Sequence, residues 1–589
     1  MSGTVAEEET GNETGFTGKG VQMKDSGTPS FRDRLFSWKM FPFWMFAAAL
    51  VLSLSIAFWT RIPMPDMNRY CPMADAFRMG DWENAFHPRI LPLVPVLGGM
   101  IEFLTGLNAF SSLKVVSSLS FALSIFPLYG IFRRFLEPVP TRIALLMTAF
   151  ASMSLRYSSS GLRDSTKGLL YILCVYFLVR IFEEKRPVRN FLYLGVSAGL
   201  LALTRTECPV YAVLFLAAAF GLELFRGKAV LPWRTLLSGV TVLLVLLPWL
   251  CYMNQTVGCP VPQARYAVYL EKMLQAFFPS DPPKPEGDGK KSLAQPVSPA
   301  EAEEKVSAAG PMFTPPETLL SRPLRFSPPP EEEEEEEDGS EELIRFLKGF
   351  LKGFYPPFAI LAVLGIFLRI RKRQWTGEET VVLSLLLLHF LLLVLQIRIA
   401  DHCFYISRRY LLPVAPLEFG WSAFGAYAIY SALYIHLKWV RHPAFPTVLL
   451  VVSGLLLYLH GGSRILKSYT SKSKSLEREV LLQISNKIRD DYKGPSRFRR
   501  GSTDLENYRT NLRPTVYSEW EQLGILSGGQ SLFADDPDWQ SGRIQPDYIL
   551  LREQEFSEEF QNAAGYREIF SCIIQEVPFH LYRNTKEIE

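Results

Sequence analysis

The chain has 589 residues, of which 48% are apolar, and its mean hydropathy is positive at +0.10. This excludes a purely soluble protein and predicts an integral membrane protein. The net charge of +3 is the small difference between 62 basic and 59 acidic residues, so total charge indicates no particular partner, and no nucleic-acid partner is expected.

The first apolar run, at 41–59, is preceded by the polar residues 1–40, which are predicted to form a disordered tail. Five cations lie in this tail: Lys19, Lys24, Arg32, Arg34 and Lys39. The positive-inside rule therefore places the N-terminus in the cytoplasm. The run is too long, and begins too late, for the h-region of a cleaved signal peptide, so it is predicted to be a retained anchor.

Apolar runs long enough to cross about 30 Å of hydrocarbon recur along the chain, and we predict about eleven spans. With this number of spans, the basic residues that cluster in the later loops all lie on the cytoplasmic side. After the first span, the predicted spans are 113–132, 142–155, 166–182, 191–204, 210–225, 236–252, 354–368, 381–397, 411–435 and 445–460. The run at 90–104 is predicted to be a juxtamembrane or re-entrant helix, because a further span would invert every later loop.

The spans and the loops between them form a predicted transmembrane domain at 41–462. Its first outer loop is 60–112. The segment 280–345 combines many prolines with an acidic run, so it is predicted to be a disordered outer loop.

Composition becomes that of a soluble domain from residue 463 to 589. A helical apolar period extends from Leu476 to Ile488. Strand-like runs follow at 515–517, 548–551, 572–574 and 577–582. The predicted fold class is a polytopic α-helical membrane protein with a small C-terminal extracytoplasmic α/β domain, because an odd number of spans places this domain outside.

Cysteine and histidine usage indicates no metal fold. Four cysteines fall on the predicted outer side: Cys71, Cys259, Cys403 and Cys572. One disulfide among them is compatible with the sequence, but spacing does not identify its partners. The seven histidines form no HExxH motif and no Cys/His quartet, so no metal ligands are assigned. No cofactor is indicated, and a carboxylate-held divalent cation stays open.

Five groups of polar and aromatic residues follow one another between positions 60 and 420. The first comprises Asp66, Arg69-Tyr70, Gly80-Asp81-Trp82 and His87-Pro88. The others are Arg163-Asp164, Leu203-Thr204-Arg205-Thr206-Glu207, Pro248-Trp249 with Asn254 and Gly258-Cys259-Pro260-Val261-Pro262, and Arg409-Tyr410-Leu411-Leu412-Pro413 with Pro416. In this order they resemble the polyprenyl-phosphate-sugar-dependent glycosyltransferases of the GT-C superfamily, the protein O-mannosyltransferase and aminoarabinose transferase group.

The resemblance implies a GT-C-like fold and an inverting transfer of a sugar from a polyprenyl-phosphate donor to a lipid, glycan or protein acceptor on the outer face of the membrane. Such chemistry needs a base for the acceptor's proton, positive charge for the departing phosphate and an apolar groove for the isoprenoid. Asp66 is the predicted base. Asp164 is the second predicted catalytic residue, which would position the acceptor or the sugar.

Guanidinium groups suit the leaving phosphate because they make two hydrogen bonds to its oxygens. The predicted contacts to the donor phosphate are Arg265, Arg89, Arg409 and His87. The predicted substrate-binding residues are Arg69, Tyr70, Trp82, Arg163, Arg205 and Glu207. The expected location is a bacterial inner or plasma membrane.

Two other functions are open. A transporter or flippase of lipid-linked sugars would also place charges within spans, but paired inverted halves are not evident in the sequence. A non-catalytic GT-C relative acting as a scaffold is the second alternative, because the family often has Asp-Glu where this chain has Asp66-Met67.

Overall fold

A computed structural model of the protein describes residues 40–59, 64, 66–86, 90–183, 187–225, 232–257, 356–399, 408–436, 472–492, 514–518, 523, 530–532, 547–552, 565–574 and 577–585. The predicted acidic loop at 280–345 and the last predicted span at 445–460 lie outside these residues, as does the predicted tail apart from Met40.

Helices dominate the first 436 residues. In chain order they are α1 Phe41–Trp59, α2 Met67–Met79, α3 Trp82–Ala85, α4 Leu93–Thr105, α5 Ala109–Leu123, α6 Ile125–Phe135, α7 Pro138–Phe150, α8 Ser152–Ser158, α9 Asp164–Phe182, α10 Pro187–Ala202, α11 Cys208–Phe225, α12 Trp233–Val257, α13 Pro356–Arg371, α14 Gly377–Ile399 and α15 Ala415–His436. A 3-10 turn, Arg408–Leu411, precedes α15.

Six stretches of the described chain are long and apolar enough to cross a membrane. They are α1, α5 with α6, α9, α11, most of α12, and the first 18 residues of α14. Four other predicted spans coincide with α7 and α8, α10, α13 and α15. The predicted span at 142–155 is two helices, because Ala151 has an extended backbone between α7 and α8. The helical membrane architecture is thus confirmed.

Helix α2 and the helices packed against it shape the segment that follows α1. Gly80 ends α2 with a positive φ of 74°, and its N–H donates to the carbonyls of Ala76 and Phe77. Helix α4, which was predicted as a short juxtamembrane or re-entrant helix, packs against α2 and α5. Asn108 caps α5 by accepting a hydrogen bond from the N–H of Ser111 at 2.8 Å.

Buried hydroxyl groups join four helices near the start of α9. Ser53 of α1 is hydrogen-bonded to Ser118 of α5 at 2.8 Å and to Ser158 of α8 at 2.6 Å. Ser120 of α5 is hydrogen-bonded to Thr166 of α9 at 3.0 Å. Small hydroxyl side chains let helices approach closely in an apolar medium, and their hydroxyl groups form hydrogen bonds with one another. These hydrogen bonds therefore hold the beginning of α9 in place.

Helices α13 and α15 approach each other through two glycines. A Cβ atom at Gly365 would overlap the carbonyl oxygen of Trp421, and one at Gly425 would overlap the carbonyl oxygen of Leu361. Only glycine therefore permits this backbone contact.

The C-terminal region is a five-stranded sheet with one helix. The strands are β1 Thr515–Tyr517, β2 Gln530–Leu532, β3 Tyr548–Arg552, β4 Tyr566–Ile574 and β5 Val577–Asn584, in the order β2-β1-β3-β5-β4. Strand β1 pairs in parallel with both β2 and β3, and β5 pairs antiparallel with both β3 and β4. Helix α16, Lys472–Asp491, packs Val480, Ile484 and Ile488 against the sheet. The predicted small α/β region is confirmed, with β2 as an additional strand.

Candidate functional site

The first predicted carboxylate forms an ion pair with a residue that is distant in the sequence. Asp66 directly precedes α2, and its Oδ2 lies 2.9 Å from Nη1 of Arg409 in the 3-10 turn. The side chains of Asp66 and Arg409 are 44% and 27% exposed. We call these two residues the exposed pair, because both side chains remain accessible to a substrate.

The second predicted carboxylate ends a series of buried ion pairs. Asp164 begins α9, and its Oδ1 lies 2.5 Å from Nη1 of Arg205. Nε of Arg205 lies 2.8 Å from Oε1 of Glu207, and the same oxygen lies 3.0 Å from Nζ of Lys167. We call the series Lys167, Glu207, Arg205 and Asp164 the buried chain. It contains two cations and two anions, so its charges cancel.

Tyr410 brings the exposed pair and the buried chain into one site. The guanidinium groups of Arg205 and Arg409 lie 5.0 Å and 5.7 Å from the centre of its ring. Nη2 of Arg205 donates to the Tyr410 hydroxyl at 3.5 Å. Nε2 of His389, on α14, is within hydrogen-bonding distance of the Tyr410 carbonyl at 3.1 Å. Residues from three separate parts of the chain, at 205, 389 and 409–410, therefore meet at Tyr410, and ion pairs extend from them to Asp66 and Asp164.

The charges of the site stabilise one another. Burial alone would lower the pKa of Arg205, but Asp164 and Glu207 raise it well above its usual value. Burial alone would raise the pKa of Glu207, but Lys167 and Arg205 lower it to about 2. Burial also lowers the pKa of Arg409, but Asp164, Asp66 and Tyr410 together outweigh this, so that the net shift is upward. Arg205, Glu207 and Arg409 are therefore ionised at neutral pH.

Tyr70 and Arg163 lie beside the site. The Arg163 guanidinium lies 4.8 Å from the centre of the Tyr70 ring, a cation–π contact. Burial raises the pKa of Tyr70 to about 12, against the opposing effect of Arg163. Arg69 is exposed on α2. Met67 is fully buried in a core that includes Leu113, so the side chain at position 67 faces the core and not the site.

A small cavity of about 20 Å³ borders Asp164. Its other lining residues are mostly apolar, with three serines: Phe121, Ser124, Ser154, Ser165, Gly168, Leu169, Ile172, Leu412 and Pro416. A cavity of this size has room for about one water molecule.

Trp82 lies away from the residues above. It follows the C-terminus of α2, whereas Asp66 precedes the N-terminus, and 13 helical residues extend about 20 Å. Its ring stacks on Phe86, which contacts Tyr252. The structure therefore does not bring Trp82 together with the other predicted substrate-binding residues. His87, Arg89 and Arg265 lie outside the described residues, and their contacts to phosphate stay predictions.

Lys167 is not among the predicted site residues, and it lies one turn after Asp164 within an apolar span. Its position could have been found from the spacing, since residues three apart share a helix face. Within the described part of the chain, no group of three or more potential metal ligands is present. Cys71 and Cys572 form no disulfide with each other, and Cys259 and Cys403 lie outside the described residues.

Comparisons with known proteins agree with this architecture. A family model described as dolichyl-phosphate-mannose-protein mannosyltransferase matches residues 87–252, which include the whole buried chain. Among curated proteins, no sequence matches significantly.

Solved structures with a similar fold include ArnT from Cupriavidus metallidurans. Its apo structure matches with a TM-score of 0.53 and 12% identity, covering 92% of this chain and 97% of ArnT. The structure of ArnT bound to undecaprenyl phosphate matches with a TM-score of 0.51 and 13% identity, covering 92% and 98% of the two chains. The predicted resemblance is thereby confirmed, and we conclude that this chain is an integral membrane protein with the fold of the GT-C glycosyltransferases.

Proposed function

We propose that the protein transfers a sugar, with inversion, from a polyprenyl-phosphate donor to a lipid, glycan or protein acceptor on the outer face of the membrane. The observation that carries this proposal is the meeting of Asp66, Arg409, Arg205 and Asp164 around Tyr410. A carboxylate that can accept a proton thus lies beside guanidinium groups suited to a phosphate. The ArnT structure with undecaprenyl phosphate supports a lipid-linked donor.

Asp66 is the better placed of the two carboxylates to act as the base. Its side chain is 44% exposed, whereas that of Asp164 is 3% exposed and bonded to Arg205. When the donor phosphate binds, it competes with Asp66 for Arg409, and the freed carboxylate can take the acceptor's proton. The acceptor oxygen then bonds to the anomeric carbon, and the electron pair of the breaking C–O bond passes to the phosphate oxygen.

Arg205 is suited to stabilise the negative charge of the departing phosphate from beneath the site. Its charge is fixed by two carboxylates, so little reorganisation is needed when the phosphate charge develops. The phosphate contacts predicted for Arg89, Arg265 and His87 would supply the remaining positive charge.

We place the candidate site on the outer face because the positive-inside rule predicts that the segments before α1 and after α6 are cytoplasmic. Strand β2 approaches α2, which carries Arg69 and Tyr70. In this proposal the C-terminal α/β region lies on the same side as the site and helps to cover it.

Turnover by purified protein with a panel of polyprenyl-phosphate sugars tests the proposal. We expect Asp66→Asn to lower turnover by roughly 100- to 10,000-fold, because the general base is lost. A matched control is Asp490→Asn, which makes the same change at the far end of α16. The donor affinity of Asp66→Asn should remain measurable, which separates loss of chemistry from loss of folding.

Wild-type turnover by well-folded Asp66→Asn would show that Asp66 is not the base. Binding of polyprenyl phosphate by the wild-type protein, without turnover of any donor in the panel, would instead favour the scaffold alternative.

A further inference from the structure

A buried lysine lies beneath the candidate site. Lys167 is 1% exposed, although it lies within an apolar helix. Its Nζ is 3.0 Å from Oε1 of Glu207 and 5.2 Å from the ring centre of Tyr211. Ionisable residues inside membrane helices are costly and generally mark a functional region. The position of Lys167 therefore requires an explanation beyond helix packing.

Glu207 connects this lysine to the guanidinium that borders Asp164. The Oε1 atom of Glu207 contacts both Lys167 Nζ and Arg205 Nε. Arg205 is consequently held from two sides, at Nε by Glu207 and at Nη1 by Asp164. Loss of either carboxylate charge would release one side of the guanidinium and leave the buried chain with a net positive charge.

We propose that Lys167 is a positioning residue, which holds the Glu207 carboxylate against Arg205 so that Arg205 keeps its place between Glu207 and Asp164. Lys167 itself touches no substrate in this proposal. The inference rests on the proposed transferase function, and it assigns a role to a residue beneath the same site.

The environment of Glu207 shows why the lysine matters. It lies at the edge of a buried region, with 15% of its side chain exposed. The groups that face it are Lys167 from α9, Arg205 and Cys208 from its own segment, Tyr211 from α11 and His389 from α14. Among these, Lys167 and Arg205 carry the positive charge at Glu207. Without Lys167, burial favours the neutral acid.

Three variants test the role of Lys167 in turnover. We expect Lys167→Met to lower turnover by roughly 10- to 100-fold through misplacement of Arg205, and Lys167→Arg to restore most of it by keeping the charge. The double variant with Lys167→Met and Glu207→Gln removes both charges and should fold more stably than Lys167→Met. Its turnover should remain low, because Arg205 still lacks a carboxylate at Nε. Recovery of turnover together with stability would reduce Lys167 to a structural role and overturn the proposal.

A second measurement does not depend on enzymatic activity. In Lys167→Met, the pKa of Glu207 should rise above its wild-type value of about 2, because Arg205 is then the main group that opposes burial. The variant should therefore lose less stability than the wild type in acid, and the difference in Tm between the two, measured in detergent, should shrink from pH 7 to pH 3. A difference that stays constant over this range would overturn the proposal. Absence of turnover with every donor would count against the proposed function alone, since this Tm comparison stands by itself.

Discussion

The exposed pair and the buried chain use the same two residue types, an aspartate and an arginine, in different surroundings. Asp66 and Arg409 form one accessible contact, whereas Asp164 and Arg205 belong to a series of charges that is shielded from solvent. Accessible ion pairs contribute about 0 to 1 kcal/mol and exchange partners readily. Breaking a buried pair removes about 3 to 5 kcal/mol, because one charge is left uncompensated. The first pair is therefore suited to react, and the second to hold the site together.

The largest expected effect comes from removing the centre of the buried chain. Arg205→Met leaves Glu207 and Asp164 without their shared cation and should lower the free energy of unfolding by about 3 to 5 kcal/mol. Denaturant titration in detergent measures this change. A loss below about 1 kcal/mol would mean that the buried chain behaves like the exposed pair.

Lowering the pH should have the next largest effect, because it removes the charge of Glu207 in the buried chain. The pKa of Glu207 is lowered from 4.5 to about 2, because Lys167 and Arg205 outweigh its burial. Its contribution to stability is then complete above about pH 5 and is lost as pH falls towards 2, by about 3 kcal/mol. The stability of wild type should thus fall more steeply between pH 5 and pH 3 than that of Glu207→Gln. Parallel curves for the two proteins would contradict this assignment.

Breaking the exposed pair should affect function more than stability. Arg409→Met should change the free energy of unfolding by no more than about 1 kcal/mol. Donor affinity should fall by about tenfold or more, because one guanidinium contact to the phosphate is lost. Isothermal titration with undecaprenyl phosphate measures the affinity, and thermal unfolding measures the stability. An affinity equal to that of wild type would remove Arg409 from the predicted phosphate contacts.

The smallest effect on function is expected at Tyr70. Burial raises the pKa of its hydroxyl to about 12, so Tyr70 is neutral throughout the range in which enzymes are assayed. Tyr70→Phe keeps the ring against Arg163 and should leave the pH profile of turnover unchanged up to pH 10. Tyr70→Leu removes the cation–π contact and part of the ring packing, and should cost about 1 to 2 kcal/mol of stability. An altered alkaline limb in Tyr70→Phe would assign a chemical role to the hydroxyl.

Much of the helical architecture could be predicted because hydropathy and charge report the environment of a whole segment. The helices after Phe41, Asp164 and Trp233 begin within a few residues of the predicted spans. The break at Ala151 was missed, since a single extended residue does not change the average hydropathy of its neighbours. Strand β2, Gln530–Leu532, was missed because it contains no β-branched or aromatic residue, whereas the equally short β1 contains Thr515, Val516 and Tyr517.

The candidate site was only partly predictable, because a local sequence pattern does not report contacts between distant residues. Five predicted residues, Asp66, Asp164, Arg205, Glu207 and Arg409, do lie together. Their pairing depends on contacts between residues up to 343 positions apart, which no local pattern contains. Lys167 was hidden because one lysine barely lowers the hydropathy of a long apolar helix.

The contact between α13 and α15 has a consequence for the site at a distance. Gly365 and Gly425 allow the two backbones to touch, and α15 extends without interruption from Gly425 back to Ala415, just after the turn that carries Arg409. A larger residue at either glycine would shift α15 along its length, and the guanidinium of Arg409 would move with it. Gly425 lies ten residues, or about 15 Å, from the start of α15. The position of the Arg409 guanidinium relative to a phosphate is therefore set partly by helix packing at a distance from the site. Altered activity in a variant of this protein need not originate near its substrate.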